Sequence, residues 1–525
     1  MTTRQKILRT FTPLFYGCIT GIICGAFIAL FLVCARIVTE FALGVYSLDR
    51  TPLAVVCTII LVILCCLTMA VLQKLNPSCK GSGIPLAEAS ARGMLGAKWL
   101  RTAATLIAGS ILSFLSGMPL GSEGPSIGVG GLIGDGVGRA AKKSAVFRRY
   151  LITGGASAGL AVAFNAPLTG VAFALEEAHR RFTPTILVAA FGAVVPAVMV
   201  AQLIFWGFGH VPYLNEMGIR EGMAILSFLN QAKYNSISSL FIVCGIAAAC
   251  GVITAATAAL FNCCIFALSK VFGKIKSNTF RLFPAFALAA GCGLGLAQSI
   301  GSGEATFAGV SISTATWLLF LLLIIRFIIT AIASGSGATG GLFLPMIAIG
   351  TILGTLIAKT AVLWGLDPAF APNVIILCIS AFFAASVRAP ISAIAMSVEL
   401  TASFSNLLPC ALAVGIATAL MGLMRISPLY ERMMEDLYHA TAPKGVDITV
   451  KGVIPEHSFI CGMRMRDVLW PHNSLVTELN RNGVELVPDG ETVLEQGDII
   501  TVRAENVRTE YFYEQIKDYI THNRN

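Results

Sequence analysis

The sequence predicts an all-α multi-pass membrane protein made of two repeated halves, followed by a small α+β domain. Three observations predict this. Of the 525 residues, 56% are hydrophobic and only 12% are charged, where ordinary globular domains carry roughly 25% charged residues. Segments marked by Gly and Pro recur in the same order about 220 positions apart (301 − 81 for the first of them). Past Thr441 the long apolar runs stop and short alternating segments replace them.

The apolar runs are Leu14–Val38, Leu53–Val71, Ile186–Phe208, Ile237–Leu268, Ala285–Ile300, Thr316–Ile332, Val374–Ala385 and Leu407–Leu423. Several reach the roughly 20 residues of a spanning helix, and others are shorter and broken by Gly or Pro. The first run is too long for a cleaved signal and is followed by more of the same. Arg4, Lys6 and Arg9 precede it, so a cytoplasmic N-terminus is expected. The net charge of +9 is spread over loops, which argues against a nucleic-acid partner. The 15 cysteines, among them Cys24, Cys34, Cys65 and Cys263, lie mostly in apolar segments, where Cys behaves as a small hydrophobe. The adjacent pairs Cys65–Cys66 and Cys263–Cys264 lack zinc spacing. His179, His210, His439, His457, His472 and His522 form no metal motif, so neither metal nor cofactor is expected.

The repeat has three parts. Gly81–Gly83 (GSG) recurs at Gly301–Gly303, and Gly121–Gly134 recurs as Gly341–Gly354, with Pro125 falling on Pro345 and Gly130 on Gly350. Asn165-Ala166-Pro167 recurs as Arg388-Ala389-Pro390, and Glu176 then falls on Glu399. Matching broken helices in two halves point to a transporter's central site, and inverted halves are the commoner arrangement. The offsets alone do not distinguish inverted from parallel halves.

Gly121–Gly134, GSEGPSIGVGGLIG, is the centre of this pattern. Pro125 suits the first turn of a helix. A helix beginning here aims its free N–H groups and positive dipole end at whatever lies in front. Glu123, tethered at that end, would compete with a free anion for the same place. Such a carboxyl inside a membrane is a functional candidate by default. The Asn76–Pro85 break also enters a helix. Ser82 there offers a hydroxyl, with an ordinary Ser-capped turn as the plainer alternative.

Other features divide in the same way. Arg139, Lys142, Lys143, Arg148 and Arg149 form a basic, cytoplasmic segment by expectation. Glu176-Glu177 ends a short helix just before His179-Arg180-Arg181, so a solvated end with i+3 or i+4 pairing competes with a proton-carrying role. Glu176 and Glu399 read as structural caps or pairs. Glu88 is a candidate member of the same internal network. Tyr430, after the last apolar run, is either an interfacial anchor or a hydroxyl turned into the site.

In the tail, alternation marks strands at Asp447–Val453, Leu475–Leu479, Val484–Val487 and Ile499–Val502, with a hairpin turn at Asn482-Gly483. Tyr511–Ile520 reads as a terminal helix. The expected division is 1–440 for the membrane part, its halves about 10–220 and 235–440, and 441–525 for a soluble, cytoplasmic domain.

Together GSGIP (Gly81–Pro85), GSEGP (Gly121–Pro125), FNAPLTG (Phe164–Gly170), GGLFLP (Gly340–Pro345) and SPLY (Ser427–Tyr430) resemble the CLC family of chloride channels and proton/chloride antiporters. The resemblance spans roughly residues 10–440. It implies two inverted halves of broken and tilted helices and a homodimer with one pore per subunit. It also implies a chloride ion held by Ser82, Tyr430 and the backbone N–H groups of Leu342 and Phe343. Glu123 would be the gating glutamate and Glu177 the inner proton-transfer glutamate that the family's channels usually lack. Where the family commonly has Arg or Lys, this chain has Ser122, which bears on the acidity of Glu123. Ser82 favours chloride over the nitrate- and fluoride-preferring branches. The segment Ile448–Ala504, notably LVPDGETVLEQGDIITVRA, resembles the TrkA C-terminal regulatory domain, which implies a small-molecule ligand.

These readings favour a proton-coupled chloride antiporter in a cell membrane, with both termini cytoplasmic. A passive anion channel of the same family is the alternative. A membrane-embedded enzyme is disfavoured, since no nucleophile–base pair stands out in the apolar part. A potassium pathway would need a carbonyl filter such as Thr-Val-Gly-Tyr-Gly, and the chain contains none.

Overall fold

The computed structural model describes residues 3–47, 51–180, 182–208, 237–303, 306, 309–404, 406–441, 445–455, 458–507 and 509–520. His210, His457, His522, Arg181 and the stretch 209–236 lie outside the described residues. Seven described helices are long and apolar enough to cross a membrane, and three shorter apolar helices accompany them.

The first half contains α1 (Thr3–Ser47), α2 (Pro52–Leu75), α3 (Ile84–Ala91), α4 (Trp99–Leu115), α5 (Glu123–Ala140), α6 (Ala145–Phe164), α7 (Pro167–Phe173) and α8 (Pro184–Gly207). The second contains α9 (Ile237–Gly273), α10 (Asn278–Gly295), α11 (Thr316–Gly335), α12 (Phe343–Leu363), α13 (Ala371–Val387), α14 (Pro390–Thr401) and α15 (Leu407–Leu423). Helix α16 (Leu429–Thr441) leads out to the tail. Prolines stand in the first turn of α2, α3, α7, α8 and α14, where the missing N–H has no intrahelical acceptor to lose. Thr51, Ser144 and Thr183 cap α2, α6 and α8 through their hydroxyls.

The helix order repeats: α4 to α8 are followed, about 220 residues on, by α11 to α15. The equivalent residues Asn165 and Arg388 both end their helices in the left-handed conformation, at φ 49° and 64°. Glu176 accepts hydrogen bonds from the N–H groups of Ile391 and Ser392 at the start of α14, at 2.9 and 2.7 Å. Glu399, at the end of α14, accepts them from Leu168 and Thr169 at the start of α7, at 2.6 and 2.8 Å. Each helix's end meets the other's beginning, so the pair is antiparallel and the halves are inverted.

Helices α5, α6, α12 and α13 form the centre and are buried almost throughout. Helix α5 meets α6 backbone to backbone: a side chain on Gly130 would strike the Gly155 carbonyl, and the reverse holds. Close approach of this kind replaces the hydrophobic effect as the adhesive between helices in lipid.

The tail is a four-stranded antiparallel sheet in the order β1-β4-β2-β3: β1 (Val446–Val453), β2 (Ser474–Arg481), β3 (Val484–Leu486) and β4 (Ile499–Val507). Val450 pairs with Val502 and Leu479 with Leu486. Asn482 and Gly483 both have positive φ, as the expected hairpin turn requires. The terminal helix, α17, runs Thr509–Ile516 and so starts and stops earlier than the expected Tyr511–Ile520.

Tail and membrane part share a buried seam. Arg149, read in the sequence as part of a basic cytoplasmic segment, is buried within α6. Its Nε donates to the Ala91 carbonyl at 2.8 Å and its Nη1 to that of Leu469 at 2.7 Å. Gln515 donates to the Gly93 carbonyl at 2.6 Å, and Asp518 accepts the Ala145 N–H.

Candidate functional site

The two halves meet head to head at their broken helices. Gly121 N–H donates to the Gly341 carbonyl at 2.8 Å, and Gly341 N–H returns the bond at 2.7 Å. Helices α5 and α12 start two residues beyond this bridge, so both positive ends converge on one place. The loop before α3 packs against it. A side chain on Gly124 would strike both the carbonyl and the hydroxyl of Ser82, and one on Gly83 would strike the Gly124 carbonyl. Gly83 also has a φ of 84°, which only glycine adopts without strain.

Five polar side chains converge here with almost no exposure: Ser82 at 2%, Glu88 at 0%, Glu123 at 1%, Glu177 at 2% and Tyr430 at 1%. The Ser82 and Tyr430 hydroxyls lack a hydrogen-bond partner among the described residues, and the Glu88 and Glu177 carboxyls have no side-chain partner there but each other. A buried polar group left without a partner costs about 1–3 kcal/mol, which suits groups meant for a ligand or a proton. The Tyr430 hydroxyl lies within electrostatic reach of the Glu177, Glu123 and Glu88 carboxyls.

Glu123 is folded back over the bridge. A side chain on Gly121 would land on its Oε2, and one on Gly341 would come to 3.3 Å from it. The Ser122 hydroxyl lies 3.4 Å from Oε1. The carboxyl therefore sits at the junction of the two helix starts, where a small anion would compete with it. Leu342 caps α12 and Phe343 opens it. The Phe343 ring is wedged between Phe164, 4.4 Å away, and Phe383, 4.2 Å away.

Glu177 lies in a π-helical turn, Ala174–Ala178, that continues α7. Such turns are rare and occur often at functional sites. The turn sends neighbouring carboxyls to different fates, since Glu176 caps α14 while Glu177 is buried beside Glu88. Pairing of Glu177 with Arg180 is not what forms, because Arg180 bonds Glu431 at 2.8 Å. Arg92, at the end of α3, donates to the backbone carbonyls of Glu177 and Ala178 at 2.8 and 2.9 Å. Helix α3 thus has Ser82 just before its start, Glu88 in its body and Arg92 at its end.

The sequence motifs contain Ser82, Glu123, Leu342, Phe343 and Tyr430, the resemblance adds Glu177, and the structure brings all six into this region. Arg92 and Phe383 escaped notice. Arg92 resembles any basic residue at a helix end, and Phe383 lies in a uniformly apolar run.

Inverted halves of broken helices, meeting around buried carboxyls and hydroxyls, define the fold of a secondary transporter. The chain matches the family described as voltage gated chloride channel over residues 65–422, and the TrkA-C domain over residues 453–517. It belongs to the voltage-gated chloride channel family. The H(+)/Cl(-) exchange transporter ClcA of Salmonella paratyphi A is 30% identical over 373 residues, covering 69% of this chain and 74% of that one. ClcA of Vibrio cholerae is 28% identical over 436 residues, covering 81% and 89%. A solved structure of a slow cyanobacterial Cl-/H+ antiporter superposes with a TM-score of 0.71 at 28% identity, covering 82% of this chain and 99% of that one.

Proposed function

We propose that the chain exchanges chloride for protons across a cell membrane. The observation that carries this reading is the buried carboxyl of Glu177, which faces the equally buried carboxyl of Glu88, next to that of Glu176, which is held by backbone and hydroxyl donors. A passive anion path has no use for such a group. In this reading Ser82, Tyr430 and the N–H groups of Leu342 and Phe343 hold chloride. Partial charges of this kind let an ion bind and still leave. Glu123 is the outer gate and proton carrier, and Glu177 is the inner proton port.

The tail side is the cytoplasmic side in this proposal. The basic segment Arg139–Arg149 touches the tail through Ala145 and Arg149. The Lys143 ammonium lies over the Tyr16 ring of α1 at 4.5 Å, which supports a start of α1 on that side too. Positive charge gathers on the cytoplasmic face. The proposed domain division falls at 440/441. A cavity of about 1130 Å3 between the two parts, lined by Arg92, Arg149, His179, Arg466, His472 and Arg503 among others, supports a small-molecule ligand of the tail. A homodimer is also proposed. The exposed Phe191, Val195 and Met199 of α8 would face the second copy, and cross-linking in membranes tests it.

Reconstitution in liposomes tests the exchange. Chloride efflux down its gradient should drive proton uptake against one. Chloride efflux with no proton movement would make the protein a channel.

A further inference from the structure

The tail-side approach to Ser82 carries charge that the repeat does not account for. A cavity of about 170 Å3 opens there, with Lys80, Ser82, Arg281, Gly337 and Asp436 in its wall. The equivalent loop in the other half is Ile300-Gly301-Ser302, with Ile300 at the place of Lys80. That loop is pinned by the fully buried Arg326, which donates to the carbonyls of Gly301, Ile300 and Gln298 at 2.6, 2.8 and 3.1 Å. Leu106 stands at the place of Arg326 in the first half. One loop of the pair is therefore clamped and apolar at its entrance. The other is open and cationic.

Arg281 is fixed at the cavity wall. Its Nη2 donates to Gln73 Oε1 at 2.9 Å, and Gln73 Nε2 donates to the Gly337 carbonyl at 2.8 Å. The same carbonyl accepts the Gly81 N–H at 3.3 Å, so the guanidinium is referenced to the backbone beside Ser82. Lys80 lies two residues from Ser82 and within electrostatic reach of Arg281. Among the described residues neither cation has a carboxylate within 4 Å, and Asp436 is engaged by Arg432 at 3.4 Å. Two like charges facing one small cavity repel, and an anion between them relieves the repulsion.

We propose that Lys80 and Arg281 form a cation-lined mouth that gathers monovalent anions for Ser82 on the tail side, with no counterpart at the equivalent loop of the other half. The proposal rests on the reading of Ser82 as an anion ligand. Its action is through field rather than contact: clefts of one sign raise the local concentration of counter-ions. Salt should therefore suppress it, since the screening length is about 10 Å at 0.1 M ionic strength.

The test compares radiolabelled chloride uptake into everted and right-side-out membrane vesicles from expressing cells, with matched vesicles lacking the protein subtracted. Lys80→Gln is the deciding variant, because Lys80 Nζ has no hydrogen bond to lose among the described residues; Lys80→Arg and Arg281→Gln accompany it. With the tail side outward and low ionic strength, Lys80→Gln should raise the chloride concentration for half-maximal uptake about two- to tenfold. Lys80→Arg should restore it, raised salt should erase the difference, and the opposite vesicle orientation should show none. A shift that is absent, equal in both orientations or insensitive to salt overturns the mouth. Equilibrium chloride binding to Ser82→Ala is measured in parallel. If that binding weakens while Lys80→Gln has no effect, the mouth fails and the Ser82 reading stands. Unchanged binding in Ser82→Ala removes the Ser82 reading itself.

Discussion

Glu176 and Glu399 occupy equivalent places in the two halves, and each caps the helix from which the other projects. Glu176 receives two backbone N–H groups and the hydroxyl of Ser392, and Glu399 receives the same set from Leu168 and Thr169. Charge-assisted bonds of this type contribute about 1.5–3 kcal/mol each. Glu399→Gln should therefore lower the thermal stability of the detergent-purified protein while proton coupling persists. A variant as stable as the wild type would show that the caps carry little energy.

The neighbouring carboxyls separate proton movement from folding. Glu177→Gln should stop proton movement while chloride still flows, since a neutral amide cannot pass a proton. Glu176→Gln should lower stability and leave coupling largely intact. Paired flux measurements in liposomes decide the matter. If Glu176→Gln is the variant that uncouples, the inner port has been assigned to the wrong residue.

Glu123 lies over the Gly121–Gly341 bridge, so its substitution should affect gate and proton carrier together. Glu123→Gln should retain chloride flux and abolish proton pumping. Pumping against a gradient that survives this change would remove Glu123 from the proton path.

Ser82 and Tyr430 present the two unbonded hydroxyls of the site. Ser82→Ala or Tyr430→Phe removes one donor from an enclosed anion, and a loss of about 1.5–3 kcal/mol corresponds to roughly ten- to hundredfold weaker chloride binding. Calorimetry reads this directly. The larger loss should fall on Tyr430, because the backbone N–H groups near Ser82 compensate in part.

The seam between tail and membrane part should respond to pH through His472. Burial, reinforced by Arg92 and Arg149, pushes its pKa down to about 4. A histidine held neutral in the fold but free to charge when released near pH 6.5 destabilises the fold as pH falls from about 6.5 towards 4. Proteolysis of the tail in the full-length protein should thus accelerate across that range. His472→Gln should flatten the response, and an unchanged pH profile in this variant would assign the sensitivity to another group.

Much of this architecture was legible because its backbone demands are local. Pro at a helix start and Gly at a close approach are required wherever such geometry occurs, so Gly81–Pro85, Gly121–Pro125 and Gly340–Pro345 announced themselves, and the matching spacing revealed the duplication. The caps at Glu176 and Glu399 followed from the same symmetry. Glu177 was separable from Glu176 only through family resemblance, because two adjacent glutamates look alike until a π turn divides them. The burial of Arg149, read only as one of a basic segment, was not legible. Its partners at Leu469 and Tyr519 lie more than three hundred residues away, and no local pattern encodes them. Long-range partners also hid Arg281, whose place depends on Gln73, 208 residues away, and through it on Gly337.

The reciprocal bond between Gly121 and Gly341 restricts how this machine can move. Many two-fold membrane carriers alternate by tilting one repeat against the other around a fixed substrate. Here the repeats are sewn together by main-chain bonds at the proposed anion site, with further stitches from Gly81 to Gly337 and from Gly301 to Gly117. A tilt large enough to open a passage would break these main-chain bonds. In the proposed reading, opening is left to parts not sewn in: the swing of the Glu123 carboxyl, the turn of the Tyr430 ring, the give of three mutually tilted aromatic rings. Small excursions of that kind can turn over without unmaking the frame that positions the ion.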